Sequence, residues 1–138
     1  TILRTCDAVG AKGLILLDDC TDPYDAAAVK ASMGSIFTIR LFKARLAEFQ
    51  EWALSHPDVS IVGTSDKGAE DYASVRYAAP AVLLLGSERE GLPREYIALC
   101  RHIVRIPMEG ACDSLNLSVA AGIILYEIYN QNRARRTE

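Results

Sequence analysis

The chain has 138 residues, half of them hydrophobic and 24% charged, with a formal net charge of −3 at neutral pH. That length supports one domain with a sizeable core, and that hydrophobic share excludes a disordered chain. The acidic balance counts against a strong stand-alone nucleic-acid binder, because phosphate contacts supply most of that affinity; a local basic rim from Arg4, Lys43, Arg45 and Arg89 remains compatible with it, and solvated surface is the plainer reading of Lys43 and Arg45.

Residues 2 to 10 read as a helix, with Ile2, Leu3, Cys6 and Val9 as its apolar stripe and Gly10 near its end. Gly13 to Leu17 is an apolar strand. The cluster Asp18 to Pro23 is a turn, and Asp25 is placed to cap a short helix through Ala31. Three acids in that loop do not have the spacing of a calcium-binding EF-hand. Gly34 precedes a β-rich run from Ser35 to Leu41. Phe42, Leu46, Phe49 and Ala53 then mark an amphipathic helix ending before Pro57, with Trp52 beside them in core or interface. Val59 to Gly63 is a third strand, ending in Thr64 and Ser65. Residues 66 to 79 are the least clear, with a turn at Lys67-Gly68 and a short helix around Tyr72, Val75 and Arg76 as the expectation. Strands follow at 81 to 85 and 102 to 106, with a helix between them from Pro93.

Strands that are nearly all apolar and alternate with helices predict an α/β protein: a mostly parallel, five-stranded sheet covered by helices on both faces. The last helix, from Leu115 to about Asn130, carries Leu117, Val119, Ile123, Ile124, Leu125 and Ile128, too many directions for one core. A homodimer interface through this helix is expected, with Gly122 permitting close approach. Arg133, Arg135 and Arg136 read as a solvated tail. No apolar run approaches the about 18 residues a membrane helix needs, and no charged-then-apolar leader is visible, so a soluble cytoplasmic protein with no membrane partner is expected. Cys6, Cys20, Cys100 and Cys112 form no C-x-x-C pair and His56 and His102 have no ligand spacing, so reduced, mostly buried thiols and no metal are expected.

Two stretches stand out chemically. The first, LLLGSEREGLP from Leu83 to Pro93, is a buried strand broken at Gly86, where a ligand can approach the backbone. The second, IPMEGACDSLNLSVAAGIILYEI from Ile106 to Ile128, is a strand end, a loop of small and polar residues, and a helix start at which Ser114 is expected to cap. Ser114, Asn116 and Ser118 gather three hydrogen-bonding side chains at one helix beginning, for which capping alone is the simpler explanation.

Together, GSEREGLP and IPMEGACDSLNLSVAAGI resemble the second and third signature motifs of the SpoU family of RNA ribose methyltransferases, within the SPOUT superfamily. ILRTCDAVGAKGLILLDD resembles the tail of that family's first motif, and KASMGSIF from Lys30 to Phe37 a further family stretch. The resemblance covers essentially the whole chain. It implies an α/β-knot fold with a deep C-terminal trefoil knot, S-adenosylmethionine as cofactor, rRNA or tRNA as partner, and a homodimer through the C-terminal helix. It also implies that residues 1–138 are a catalytic domain truncated at its N-terminus, the first motif's opening Asn and a separate RNA-binding domain lying upstream.

Carried over residue by residue, the resemblance assigns cofactor contacts to Thr64, Gly86, Ile106, Met108 and Leu115, and catalytic roles to Arg4, Glu88, Ser114 and Asn116. An arginine stays protonated near neutral pH, so Arg4 is expected to bind the acceptor's phosphate and stabilise alkoxide charge rather than to act as base. Glu88 is expected to orient Arg4 or Arg89. A dinucleotide enzyme is a second reading of such a sheet, but no G-x-G-x-x-G follows the first strand. A non-catalytic RNA-binding or dimerisation module of the same fold is the third.

Overall fold

The structure, a computed structural model, describes residues 1–138. The chain divides into two compact units, Thr1–Glu51 and Trp52–Glu138. In the first, helix α1 (Ile2–Ala8) buries Leu3 and Cys6, and strand β1 (Leu14–Leu17) pairs in parallel with β2 (Leu41–Ala44). Helix α2 (Ala26–Ala31) begins where the Asp25 carboxylate accepts from the Ala27 N–H, as its sequence position implies. Helix α3 (Leu46–Ser55) starts in this unit and runs across the division. Its first turn is held by two carboxylates, Glu48 accepting from Arg45 N and Asp18 from Leu46 N.

Two readings in this unit are corrected. The run expected as a strand from Ser35 is a 3-10 helix, Ser35–Phe37, because Gly34 takes a φ of 88° and a chain of short-range bonds closes Ser35 N on Ser32 O and Thr38 N on Ser35 O. Strand geometry begins only at Leu41, where β1 supplies a partner ladder. Phe42 therefore lies in β2 rather than on the amphipathic helix, and is exposed.

The second unit is a four-stranded sheet in the order β4-β6-β3-β5, every pair parallel: β3 (Ser60–Thr64), β4 (Glu70–Asp71), β5 (Ala81–Leu84) and β6 (His102–Arg105). The inner strand β3 is almost wholly buried, which is why its sequence is apolar without alternation. The single five-stranded layer expected from sequence is thus replaced by a two-stranded and a four-stranded parallel sheet. The helix expected around Tyr72 is absent. Edge strand β4 stands there instead, two residues long, because β6 offers an open ladder to Glu70 and Asp71.

Short helix α4 (Arg94–Ile97) follows Pro93. Helix α5 (Leu117–Arg136) closes the chain. Its inner stripe, Leu117, Ala121, Ile124, Ile128, Gln131 and Arg135, keeps the spacing of four and three that presents one face. Ile124 sits in the core with Val62, Val75, Tyr77 and Val104, and Ile128 packs against it. The three arginines expected as a solvated tail are helical. Arg135 donates to the Tyr77 carbonyl, while Gln131 accepts from Tyr77 N and donates to Val75 O, so its amide pairs with the 75–77 backbone as a strand would. Tyr77, wholly buried, donates its hydroxyl to Tyr72 O at 2.6 Å, and burial first, then the Glu127 carboxylate, pushes its phenol up to about 12. No helix is long and apolar enough to cross a membrane.

The cysteines are free, but the expectation that they are mostly buried is corrected: Cys6 is buried and Cys100 half-buried, whereas Cys20 and Cys112 are exposed on loops. Burial raises the Cys6 thiol and pushes Cys100 up to about 11, so both stay protonated and unreactive at neutral pH. Titration of the native chain with a disulfide reagent at pH 8 is expected to modify Cys20 and Cys112 rapidly, and Cys6 and Cys100 only after denaturant is added.

Candidate active site

A cleft of about 540 Å³ opens in the second unit at the carboxyl ends of β3, β5 and β6, the edge at which parallel α/β sheets receive ligands. Three segments wall it: the turn after β3 (Thr64 to Lys67), the loop after β5 (Gly86 to Leu92), and the segment from β6 to the start of α5 (Val104, Ile106, Met108, Asp113, Ser114, Leu115, Leu117). Ala120 and Ile124 of α5 and Ile97 of α4 complete the lining.

The loop after β5 is narrow because Gly86 passes directly against Gly91. A Cβ on Gly86 would stand 2.2 Å from the Gly91 carbonyl carbon, which no side chain can occupy. Gly91, at a φ of 69°, turns the chain back, its N–H donating to Ser87 O at 2.9 Å while Ser87 Oγ accepts from Glu90 N. The residue types G-S-E-R-E-G thus encode a tight, self-bonded turn with Glu88, Arg89 and Glu90 displayed on it.

Helix α5 is capped by Asn116, whose Oδ1 accepts from Ser118 N at 2.9 Å and Val119 N at 3.4 Å. The expected cap, Ser114, is instead an exposed cleft residue whose carbonyl accepts from the Cys112 thiol. Leu115, between the two, is half-buried in the cleft wall. Glu88 departs from expectation also. Its Oε1 accepts from Leu117 N at 3.2 Å, so it satisfies an unpaired helix donor rather than Arg4 or Arg89.

Of the residues singled out from sequence, Thr64, Gly86, Glu88, Ile106, Met108, Ser114 and Leu115 all line this cleft, and Asn116 adjoins it as the α5 cap. Thr64 donates its hydroxyl to Leu84 O at 3.3 Å, joining two strand ends of the floor. Arg4 belongs to the other unit, exposed on α1. Sequence reading missed Asp66, Lys67, Glu90 and Asp113, all cleft-lining. The signal that points to the first two is their position directly after an apolar strand that ends in Thr64-Ser65. No group of three or more His, Cys, Asp or Glu side chains is placed to hold a metal ion.

The lining combines apolar floor residues (Leu92, Val104, Ile106, Met108, Leu115) with four carboxylates (Asp66, Glu88, Glu90, Asp113) and two cations (Lys67, Arg89). Such a site suits a ligand with a flat apolar part and a cationic part.

Comparison with known proteins gives this geometry a context. The model of a family described as the SpoU rRNA Methylase family matches residues 1–126. The 23S rRNA (uridine(2479)-2'-O)-methyltransferase of Streptomyces viridochromogenes is 35% identical over 142 residues, covering 99% of this chain and 50% of that protein. Among solved structures, an AdoMet-bound rRNA methyltransferase from Sinorhizobium meliloti superposes with a TM-score of 0.89 at 41% identity, over 94% of this chain and 50% of that one. The SpoU methyltransferase AviRb from Streptomyces viridochromogenes, in complex with AdoMet, does so with a TM-score of 0.89 at 35% identity, over 96% and 52%. The chain spans about half the length of the curated relatives it matches.

The Gly86–Gly91 contact supplies a direct test of the cleft wall. Gly86→Ala is expected to force the 87–91 turn open and lower Tm by about 5 °C or more, since overpacking costs about 1–3 kcal/mol. Gly110→Ala, whose added methyl meets open space, is expected to shift Tm by no more than about 2 °C in the same thermal melts.

Proposed function

The chain belongs to the SpoU rRNA methylase family, and on that premise we propose that it is the catalytic domain of an RNA methyltransferase, moving a methyl group from S-adenosylmethionine to a ribose 2′-hydroxyl of structured RNA. The curated relatives are named for 23S rRNA, which supports rRNA over tRNA as the acceptor. The observation that carries the reading is that both motif loops, after β5 and after β6, wall one cleft.

The residues present fit the cofactor. The cleft volume lies within the range of small-molecule sites, the strand-end floor is apolar enough for an adenine ring, and the carboxylates around it complement a sulfonium cation. Thr64, Gly86, Ile106, Met108 and Leu115 would hold the cofactor, largely through backbone groups of the strand ends. When bound, the cofactor supplies an activated methyl group for in-line transfer.

The protein's own part is to hold the acceptor hydroxyl in line and to offset the charge it develops. Arg4, protonated throughout, binds an acceptor phosphate and stabilises the forming alkoxide, and the proton leaves to a phosphate oxygen or water. The Ser114 hydroxyl and the Asn116 Nδ2, which the cap does not use, orient the ribose. Glu88 acts as a positioning residue, because its carboxylate is committed to the start of α5.

The same reading assigns the chain, residues 1–138, to one catalytic domain with the trefoil knot of its family, working in the cytoplasm as a homodimer. Helix α5 supports the dimer: beside its inner stripe it bears a second, Val119, Gly122, Tyr126 and Tyr129, with the three large side chains exposed and space above Gly122. The Arg133 guanidinium lies over the Tyr129 ring, 5.6 Å from its centre, extending that stripe with a cation.

Calorimetry separates this reading from a dinucleotide enzyme: S-adenosylmethionine is expected to bind and NAD is not, and the reverse result ends the proposal. In the complete protein, Arg4→Ala is expected to abolish methyl transfer to total RNA, followed by mapping of ribose methylation, while cofactor affinity stays within about threefold of wild type. Unchanged turnover would remove Arg4 from the mechanism.

A further inference from the structure

S-adenosylmethionine carries, besides its sulfonium and amino cations, one carboxylate. In a cleft lined by four acids that carboxylate needs a specific counter-charge, or its burial opposes binding. The usual receptor for a small anion is a helix N-terminus, and α5 presents one to this cleft. It is already taken. Leu117 N donates to Glu88, Ser118 N and Val119 N donate to the Asn116 side chain, and Ala120 N bonds to Asn116 O. The helix end is closed to a ligand anion, and the Glu88 charge repels one.

Two cations remain on the cleft wall, Lys67 and Arg89, and neither makes an ion pair within the chain. They differ in how they are held. Lys67 stands on a turn bolted to the floor: Ser65 N donates to Val104 O at 3.0 Å, Gly68 N closes on Ser65 O at 3.1 Å, Lys67 N donates to Ser65 Oγ, and the Arg105 guanidinium donates to Gly68 O at 2.9 Å. Gly68 lies so close to β6 that a Cβ would be 2.7 Å from the Val104 carbonyl carbon. The turn's position relative to Thr64, Val104 and Ile106 is therefore fixed before any ligand arrives. Arg89 lies on the 87–91 turn between Glu88 and Glu90, whose two carboxylates offset its charge toward a ligand anion.

We propose that Lys67, on the turn after β3, binds the carboxylate of the methyl donor's amino-acid tail and so sets this cleft's selectivity for the complete amino-acid end of the cofactor. The inference rests on the donor assignment under Proposed function.

The test compares S-adenosylmethionine with decarboxylated S-adenosylmethionine, which keeps the adenosine, the sulfonium and the amine and lacks only the carboxylate. Calorimetry on the 1–138 chain reads both affinities in wild type, Lys67→Met, Lys67→Arg and Arg89→Met. Lys67→Met is expected to weaken S-adenosylmethionine by about fivefold or more and to leave the decarboxylated compound within about twofold, with Lys67→Arg restoring most of the loss. Equal losses for both compounds in Lys67→Met, retained discrimination there, or a loss of discrimination in Arg89→Met instead, each overturns the assignment. Failure of wild type to bind either compound overturns the donor reading itself and this inference with it.

Discussion

The cleft depends on one hydrogen bond between segments 29 residues apart, from Leu117 N at the start of α5 to the Glu88 carboxylate on the loop after β5. A helix of 20 residues ends in a cluster of unpaired N–H groups carrying partial positive charge, and these must find acceptors. Asn116 satisfies two of them from within the helix's own segment; the third is met across the cleft. That division of labour ties the two motif loops together at one point. A shift of either loop would hand that helix donor to solvent, so the contact that completes the helix also favours the cleft's shape.

Beneath that contact the site rests on close backbone approaches rather than on side-chain packing. Gly86 against Gly91 narrows the first loop, and Gly68 against Val104 seats the turn after β3. In both places a side chain would collide with neighbouring main chain, so only glycine lets the two segments come so close. The core supports this from below: Val62 of β3 and Val104 of β6 are wholly buried against Ile124 of α5, the helix whose first turn borders the cleft. Core and site thus share α5, its N-terminal turn serving the cleft and its later turns holding the 75–77 segment through Gln131 and Arg135.

What sequence made legible follows from how local each signal is. The inner strand at 60–64 announces itself because it is buried on both faces, and the strands at 81–84 and 102–105, which pair with it, through short apolar runs. Asp25 as a cap was readable because its partner is two residues away. Strand β4 was not readable: Glu70 and Asp71 have no strand propensity and become strand only because β6 offers them bonds. The 3-10 segment at 35–37 was misread for the opposite reason, since β-branched and aromatic residues there favour a strand that has no partner until Leu41. Ser114 and Asn116 are interchangeable as caps by propensity, so residue type alone does not say that the helix starts after Asn116. Glu88 carried a family motif's signature without its partner, because a contact 29 residues away leaves no trace in spacing.

Charge separates the two tasks, donor binding and RNA binding, that the proposed function would require. A cleft with four carboxylates and two cations attracts a sulfonium and repels a polyphosphate, so the surface that suits the donor is unsuited to gripping RNA. The chain's net charge of −3 agrees with that division. In the proposed function RNA affinity would come from surfaces away from the cleft, and only the acceptor ribose would need to reach it. In the proposed function the acidity of the cleft would favour a cationic donor, whose positive charge, once seated, would lower the cost of bringing an anionic acceptor to the same edge of the sheet.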